Sequence, residues 1–198
     1  MQRFDRLLDA YCAAETSDDR AEAEAALWTA FGIEASVLVA DMSGFSRLPL
    51  RHGILHYLAL VRRMRKASAP IFDRFGGRVV KYEADNAYAV FAEPTPAIHA
   101  ALALNRDYDT MNQLTPDERD VHLCIGIDHG RLLLIPDHDL YGTPVNLASK
   151  LGEDLAGAGE VLVTQSARKR AGTMPEVRFE TIEFSLAGLA FTAHRVRC

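Results

Sequence analysis

The strongest constraint in this chain is a change of hydrophobic period that recurs in a fixed order over residues 35–135. Residues 35–40, with Ser-Val-Leu-Val at their centre, form a short apolar run rich in β-branched side chains, ending at Asp41 with a glycine-containing turn behind it. Such a run predicts a buried strand. From about Gly53 to Phe75 the residues Ile54, Leu58, Val61, Met64, Ile71 and Phe72 fall on one helical stripe, which Gly76 and Gly77 terminate. Arg78 to Glu83 and residues 87–91 then read as strands joined by Ala84-Asp85-Asn86, a hairpin connection. A helix over residues 96–111 follows, then a strand over 121–127 and another over 132–135. Strand, helix, hairpin, helix, strand is the order of a ferredoxin-like split β-α-β unit, so an α+β fold is expected.

Beyond this unit the pattern predicts a helix across residues 145–155, a strand over 160–164 and strand-like tails at 183–186 and 190–196. Before it, Phe4, Leu7, Leu8 and Tyr11 recur at helical spacing, and a second helix starts after a Thr16 or Ser17 cap and stops near Gly32. Residues 1–32 are expected as a helical extension and 33–198 as the main domain, with Trp28 and Phe31 available to dock the extension on that domain or on a partner chain. A formal net charge of −5 argues against a dedicated duplex-DNA binder, which needs a basic face. Cys12, Cys124 and Cys198 form no CxxC pair and leave one over, which favours a reducing compartment over a disulfide framework or a zinc site. The N-terminus lacks the apolar stretch of a signal peptide, and no run of about 18 apolar residues predicts a bilayer span. A soluble, cytoplasmic protein with no nucleic-acid or membrane partner is the expectation.

Asp41 ends one predicted strand and Asp85 sits in the turn of the hairpin beside it, so both carboxylates are expected at one sheet edge, where they would bind Mg²⁺ or Mn²⁺. Aspartates are also ordinary turn residues, and the pair gains meaning only from its context. That context is Val-Ala-Asp41-Met-Ser-Gly44-Phe45-Ser, then Lys81-Tyr-Glu-Ala-Asp85-Asn, then Gly126-Ile-Asp-His-Gly130, then Tyr-Gly142-Thr143-Pro-Val-Asn146-Leu-Ala-Ser-Lys150. In this order and spacing the series resembles the catalytic domain of class III adenylyl and guanylyl cyclases, over roughly residues 34–196.

The resemblance implies that Asp41 and Asp85 hold two divalent ions, Mg²⁺ or Mn²⁺, with the backbone carbonyl of Met42 as a further ligand. It implies that the turn Ser43-Gly44-Phe45-Ser46 lies against the triphosphate, where backbone amides can receive anionic oxygens. Lys81 and Thr143 would read the purine. An ammonium donates to N1 of adenine, a hydroxyl accepts from its N6 amine, and guanine presents the opposite pattern, which guanylyl cyclases meet with an acidic residue at the Lys81 position. ATP is therefore the expected substrate. Asn146 and Lys150, four apart on one helix face, would orient the ribose and neutralise the α-phosphate. The 3′ oxygen would attack the α-phosphorus in line, giving 3′,5′-cyclic AMP and pyrophosphate by two-metal catalysis without a His or Cys nucleophile. His52, His56 and His129 are accordingly read as structural or surface residues. In the family the metal aspartates come from one protomer and the purine and ribose contacts from the other, so a two-fold homodimer with shared sites is implied.

The chain also departs from the family pattern. Lys150 replaces the usual arginine, keeping the charge but losing the planar fork, a loss bounded by roughly 3 kcal/mol. Ala84 replaces the glycine before the second metal aspartate, and Leu186-Ala187-Gly188 lacks a lysine that helps hold the triphosphate, which would either raise KM or leave that contact to another basic residue such as Arg47 or Arg131. Three alternatives stay open at this level: a cyclase-like domain that binds nucleotide or a partner with little turnover, a guanylyl cyclase, and a structural module assembling through its N-terminal helices.

Overall fold

The computed structural model describes residues 1–45, 51–186 and 189–197; Ser46, Arg47, Ala187 and Gly188 lie outside the described residues. Two helices, α1 (Gln2–Ala13) and α2 (Ser17–Phe31), lead into β1 (Gly32–Met42), α3 (Ile54–Arg74), β2 (Arg78–Glu83), β3 (Asn86–Phe91), α4 (Pro94–Asn112) and β4 (Leu123–Ile135). There follow β5 (Asp139–Tyr141), α5 (Thr143–Ser149), a π-helical continuation over Lys150–Leu155, β6 (Val161–Thr164), α6 (Gln165–Ala171), β7 (Arg178–Leu186) and β8 (Leu189–Arg197). The local signals act where expected. Thr16 caps α2 by accepting from the Asp19 amide at 3.1 Å. α3 ends where Gly76 turns to φ +73° and the Gly77 amide closes onto the Phe72 carbonyl at 2.8 Å, which satisfies a carbonyl the helix would leave orphaned.

The sheet runs β2-β3-β1-β4-β6-β8-β7, with β5 paired to β4. Its first four members, with α3 and α4 crossing one face, are the split β-α-β unit expected from the order of elements. Because side chains alternate across a strand, β1 divides two cores. Leu38, Ala40 and Met42 face α3 and α4 in a cluster with Phe72, Ile98, Leu104 and Ile125. Val37 and Val39 face the other way, with Tyr88, Leu132, Val145 and Ala148 beneath α5. Each large aliphatic side chain so buried contributes about 2 kcal/mol.

α5 lies so close to the sheet that Gly126 has no room for a side chain: a Cβ there would overlap the Ala148 carbonyl and fall 2.6 Å from the Gly152 amide. The obstruction is backbone, which cannot swing aside. Gly126→Ala should therefore cost about 3 kcal/mol in a denaturant titration, the upper range for overpacking; a change below about 0.5 kcal/mol would show that α5 is free to lift.

Two differences from the sequence reading are instructive. Residues 123–135 form one continuous strand where the polar run Asp128-His129-Gly130-Arg131 suggested a break. Eleven rungs of pairing to β1, from Gly32↔Leu133 to Met42↔Leu123, hold it straight through that run. Asp128 and one nitrogen of His129 find local partners: buried Asp128 accepts from the His129 amide at 2.7 Å and from the hydroxyls of Thr164 and Ser166, and His129 bonds Ser36 at 2.9 Å through Nδ1, while its Nε2 faces only the Glu34 carboxylate at 3.4 Å. The short helix α6, which carries Ser166, has no counterpart in the sequence reading, since seven residues with three consecutive basic ones give little periodicity.

Candidate active site

Asp41 is half-buried at the end of β1, and the tight β2–β3 turn sets Asp85 beside it. Ala84 takes a positive φ of 49° to make that turn, a conformation that glycine adopts more readily. The convergence shows in the pKa of Asp41. Burial first, then the negative charge of Asp85, then those of Glu153 and Asp154, push it up from an ordinary 3.8 to about 7, against a smaller opposing hydrogen bond from the Met42 backbone. Asp85 is steadied from α3, where the Tyr57 hydroxyl donates to its carboxylate at 3.4 Å. Glu153, on the π-helical segment, accepts from Tyr88 at 3.3 Å and from the Asn86 amide at 3.5 Å.

The turn after β1 divides the residues expected at the phosphates. Gly44 is exposed at φ +74°, with open space where a Cβ would point. Phe45 is buried, its ring 5.9 Å from Tyr57, so only its backbone can face a ligand. The Ser43 amide already donates to the His122 carbonyl at 2.8 Å. Ser46 and Arg47 lie outside the described residues. Arg131 does not belong to this end of the chain: it pairs with Glu34, seven residues along β1 from Asp41 and roughly 23 Å away at the rise of an extended strand. Its guanidinium lies over the Trp28 ring at 4.0 Å.

Lys81 meets a residue that the sequence reading did not single out. Its ammonium is 3.0 Å from Asp139 and 2.9 Å from Glu83, and it sits over the Tyr88 ring at 4.8 Å. Burial opposes the charge on Lys81, but these hydrogen bonds and negative neighbours outweigh it and push the group up to about 12. Asp139 is held below the usual carboxylate range: burial works against its charge, and the Leu140 amide, Lys81 and the Tyr141 hydroxyl prevail. Two strands separate β2 from β4 in the sheet, so β5 must fold across the sheet face for this ion pair to form. Thr143 stands exposed at the start of α5, four residues past Asp139. Asn146 is exposed on the same helix, and Lys150 is ion-paired within its own chain to Asp154, one turn on. The signal for Asp139 was available in principle, as an acidic residue two before an aromatic in the segment leading to Gly142, but only folding brings it to Lys81.

Among the described residues no three His, Cys, Asp or Glu groups converge as a ready-made metal cage. Two carboxylates, with the remaining oxygens left to backbone, water or phosphate, form the donor set that Mg²⁺ and Mn²⁺ accept, so the site fits such an ion. The raised pKa of Asp41 carries a sign that can be checked. Metal-free protein is favoured by protonated Asp41 and should lose stability as pH rises from about 4 to about 7, since the unfolded chain ionises the group more easily. A divalent ion needs the carboxylate, so the rise in melting temperature on adding Mn²⁺ should be larger at pH 8 than at pH 6. Asp41→Asn should flatten both trends; an unchanged pH profile in that variant would disconnect Asp41 from either effect.

Comparison with known proteins gives a consistent result. The family model described as the adenylate and guanylate cyclase catalytic domain matches residues 7–185. The protein of Rhizobium meliloti (strain 1021) named "Putative adenylate cyclase 3" is 28% identical over 145 residues, which cover 73% of this chain and 24% of that protein. The chain thus spans about a quarter of that relative's length. The guanylyl cyclase Cya2 superposes with a TM-score of 0.74 at 15% identity, covering 83% of this chain and 92% of that one. The adenylyl cyclase CyaB from P. aeruginosa does so with a TM-score of 0.72 at 18% identity, covering 84% and 95%. At these identities both are likenesses of fold, and they divide between the two nucleotides.

Proposed function

This chain belongs to the adenylate and guanylate cyclase catalytic domain family, and from that premise we propose that it converts ATP to 3′,5′-cyclic AMP and pyrophosphate. The observation that carries the choice of nucleotide is the Lys81–Asp139 pair at 3.0 Å. It sets a charged donor next to a charged acceptor. Adenine offers N1 as an acceptor and its N6 amine as a donor, which answers both. Guanine would bring N1–H toward the ammonium and O6 toward the carboxylate, two unfavourable meetings in a partly desolvated place. Thr143, at the mouth of the same segment, is the further purine contact in this reading.

Asp41 and Asp85 are the residues that would hold the divalent ions, aided by the Met42 carbonyl. When bound, such ions supply charge neutralisation at the phosphates and acidify the attacking 3′ hydroxyl. The protein's own share is positioning. Gly44 lets the backbone come close to phosphate oxygens, Asn146 orients the ribose, and Lys150 places positive charge where negative charge grows on the α-phosphate. Asn146 and Lys150 act in this reading on a nucleotide whose ions are held by the partner protomer, in a two-fold homodimer with two shared sites.

The test is direct: cyclic AMP and cyclic GMP are quantified after incubation with Mn²⁺ and either ATP or GTP. Cyclic AMP should dominate. Lys150 is tied to Asp154 and lacks the arginine fork, so turnover should be slow, and Lys150→Arg should raise kcat about fivefold. Bound ATP without product in Mn²⁺, unrelieved by Lys150→Arg, would instead establish a nucleotide-binding domain without turnover.

A further inference from the structure

Asp139 and Lys81 depend on a strand of three residues, β5, which is hydrogen-bonded to β4 alone. Its register puts Leu133 opposite Tyr141 and Ile135 opposite Asp139. Side chains two apart on a strand share a face, so Asp139 and Tyr141 lie together, and the Tyr141 hydroxyl donates to Asp139 at 3.0 Å. The two oxygens of Asp139 are thereby divided: one takes Lys81 and the Leu140 amide, the other Tyr141. The back of the tyrosine ring is held from the N-terminal helices. Phe4 of α1 stacks on it with centroids 5.7 Å apart and planes 16° from parallel, and Phe31 of α2 meets Phe4 edge-on at 5.4 Å. Phe4 and Leu27 are buried with Ile135, the residue opposite Asp139, in a separate small core that Leu7, Tyr11, Phe31 and Leu133 complete.

We propose that Tyr141 is a positioning residue for purine selection, and that the α1–α2 pair, through Phe4, holds it in place. This rests on the reading of Lys81 and Asp139 as the purine contacts. The physical reason is that the other two holds on this carboxylate, Lys81 and the Leu140 amide, both act on one oxygen and leave the second to Tyr141. Without the tyrosine, the second oxygen would turn about the carboxylate's own bond and leave the line of the N6 amine. The tyrosine hydroxyl opposes that movement, and the stacked phenylalanine fixes the ring that carries the hydroxyl. Discrimination between adenine and guanine thus depends on helices that touch neither base nor phosphate.

The experiment uses the full chain with Mn²⁺ and measures kcat and KM for ATP and for GTP. Tyr141→Phe keeps the ring and its stacking, and the position is solvent-exposed, so the fold is not at risk. It should raise KM for ATP and lower the ATP-over-GTP ratio about tenfold, the value of a hydrogen bond to a charged group, with kcat nearly unchanged. Phe4→Leu, which keeps α1 packed but removes the stack, should lower the same ratio by a smaller factor, and Tyr141→Phe with Phe4→Leu should be no worse than Tyr141→Phe alone. Asp139→Ala separates the layers. If it lowers the ratio and Tyr141→Phe does not, the positioning role is wrong and the purine reading stands. If Asp139→Ala leaves the ratio intact, the purine reading fails and takes this inference with it. If Phe4→Leu alone has no effect on the ratio, the helices play no part.

Discussion

Asp85→Ala protein should form cyclic AMP at no more than about one-thousandth of the wild-type rate, with its melting temperature in the absence of metal preserved or raised. The rate follows from removing one of only two carboxylates available to hold divalent ions, a loss at the upper end of what one electrostatic group supplies. The stability follows from Asp41, whose pKa of about 7 records how strongly burial and its negative neighbours oppose its charge. Deleting one neighbour relieves that opposition. Asn146→Ala should be similarly inactive by a separate route, losing ribose orientation and not the ions. Mixing the two proteins then tests the shared site. With free exchange half of the dimers are mixed, and each mixed dimer has one intact site of two, so about a quarter of wild-type activity should return. Recovery at background level would mean that each chain carries a complete site.

The second large effect concerns the base. Exchanging Lys81→Glu together with Asp139→Ser replaces the donor by an acceptor and the acceptor by a hydroxyl that can donate. The pair then answers N1–H and O6 of guanine. The ATP-over-GTP ratio of kcat/KM should fall by at least about 10²-fold, because a site built to hydrogen-bond one pattern leaves buried polar groups unpaired with the other. Lys81→Glu alone should be poor with both nucleotides, since it sets two carboxylates against each other where an ion pair stood. A double variant that still prefers ATP as strongly as the wild type would remove Lys81 and Asp139 from base recognition.

Much of this architecture is legible in the sequence because it is written in local periods. The six-residue β2 and β3, the glycine pair that closes α3 and the cap of α2 all depend on residues within one or two turns of each other. Asp41 and Asp85 also come together from local facts, a strand end and a hairpin turn, once β1 and β3 are neighbours. What escaped the sequence is non-local. The unbroken β4 depends on its pairing with β1, which outweighs the polarity of residues 128–131. Asp139 gains its meaning only when β5 crosses toward β2, and Glu153 only when Tyr88 and Asn86 turn toward it. Phe4 and Tyr141 stand 137 positions apart, and no period or motif links them.

The π-helical stretch from Lys150 to Leu155 has a consequence for how this domain tolerates change. A π turn takes in one residue more than an α turn, so it shifts the angular position of everything after it. Substitutions within it preserve that phase, whereas deleting a single residue would let the coil tighten and rotate Glu153 and Asp154 away by roughly 100°. Outside Lys150 and Gly152, whose Cβ would fall 3.1 Å from the Gly126 amide, length more than side-chain identity is what this stretch must keep.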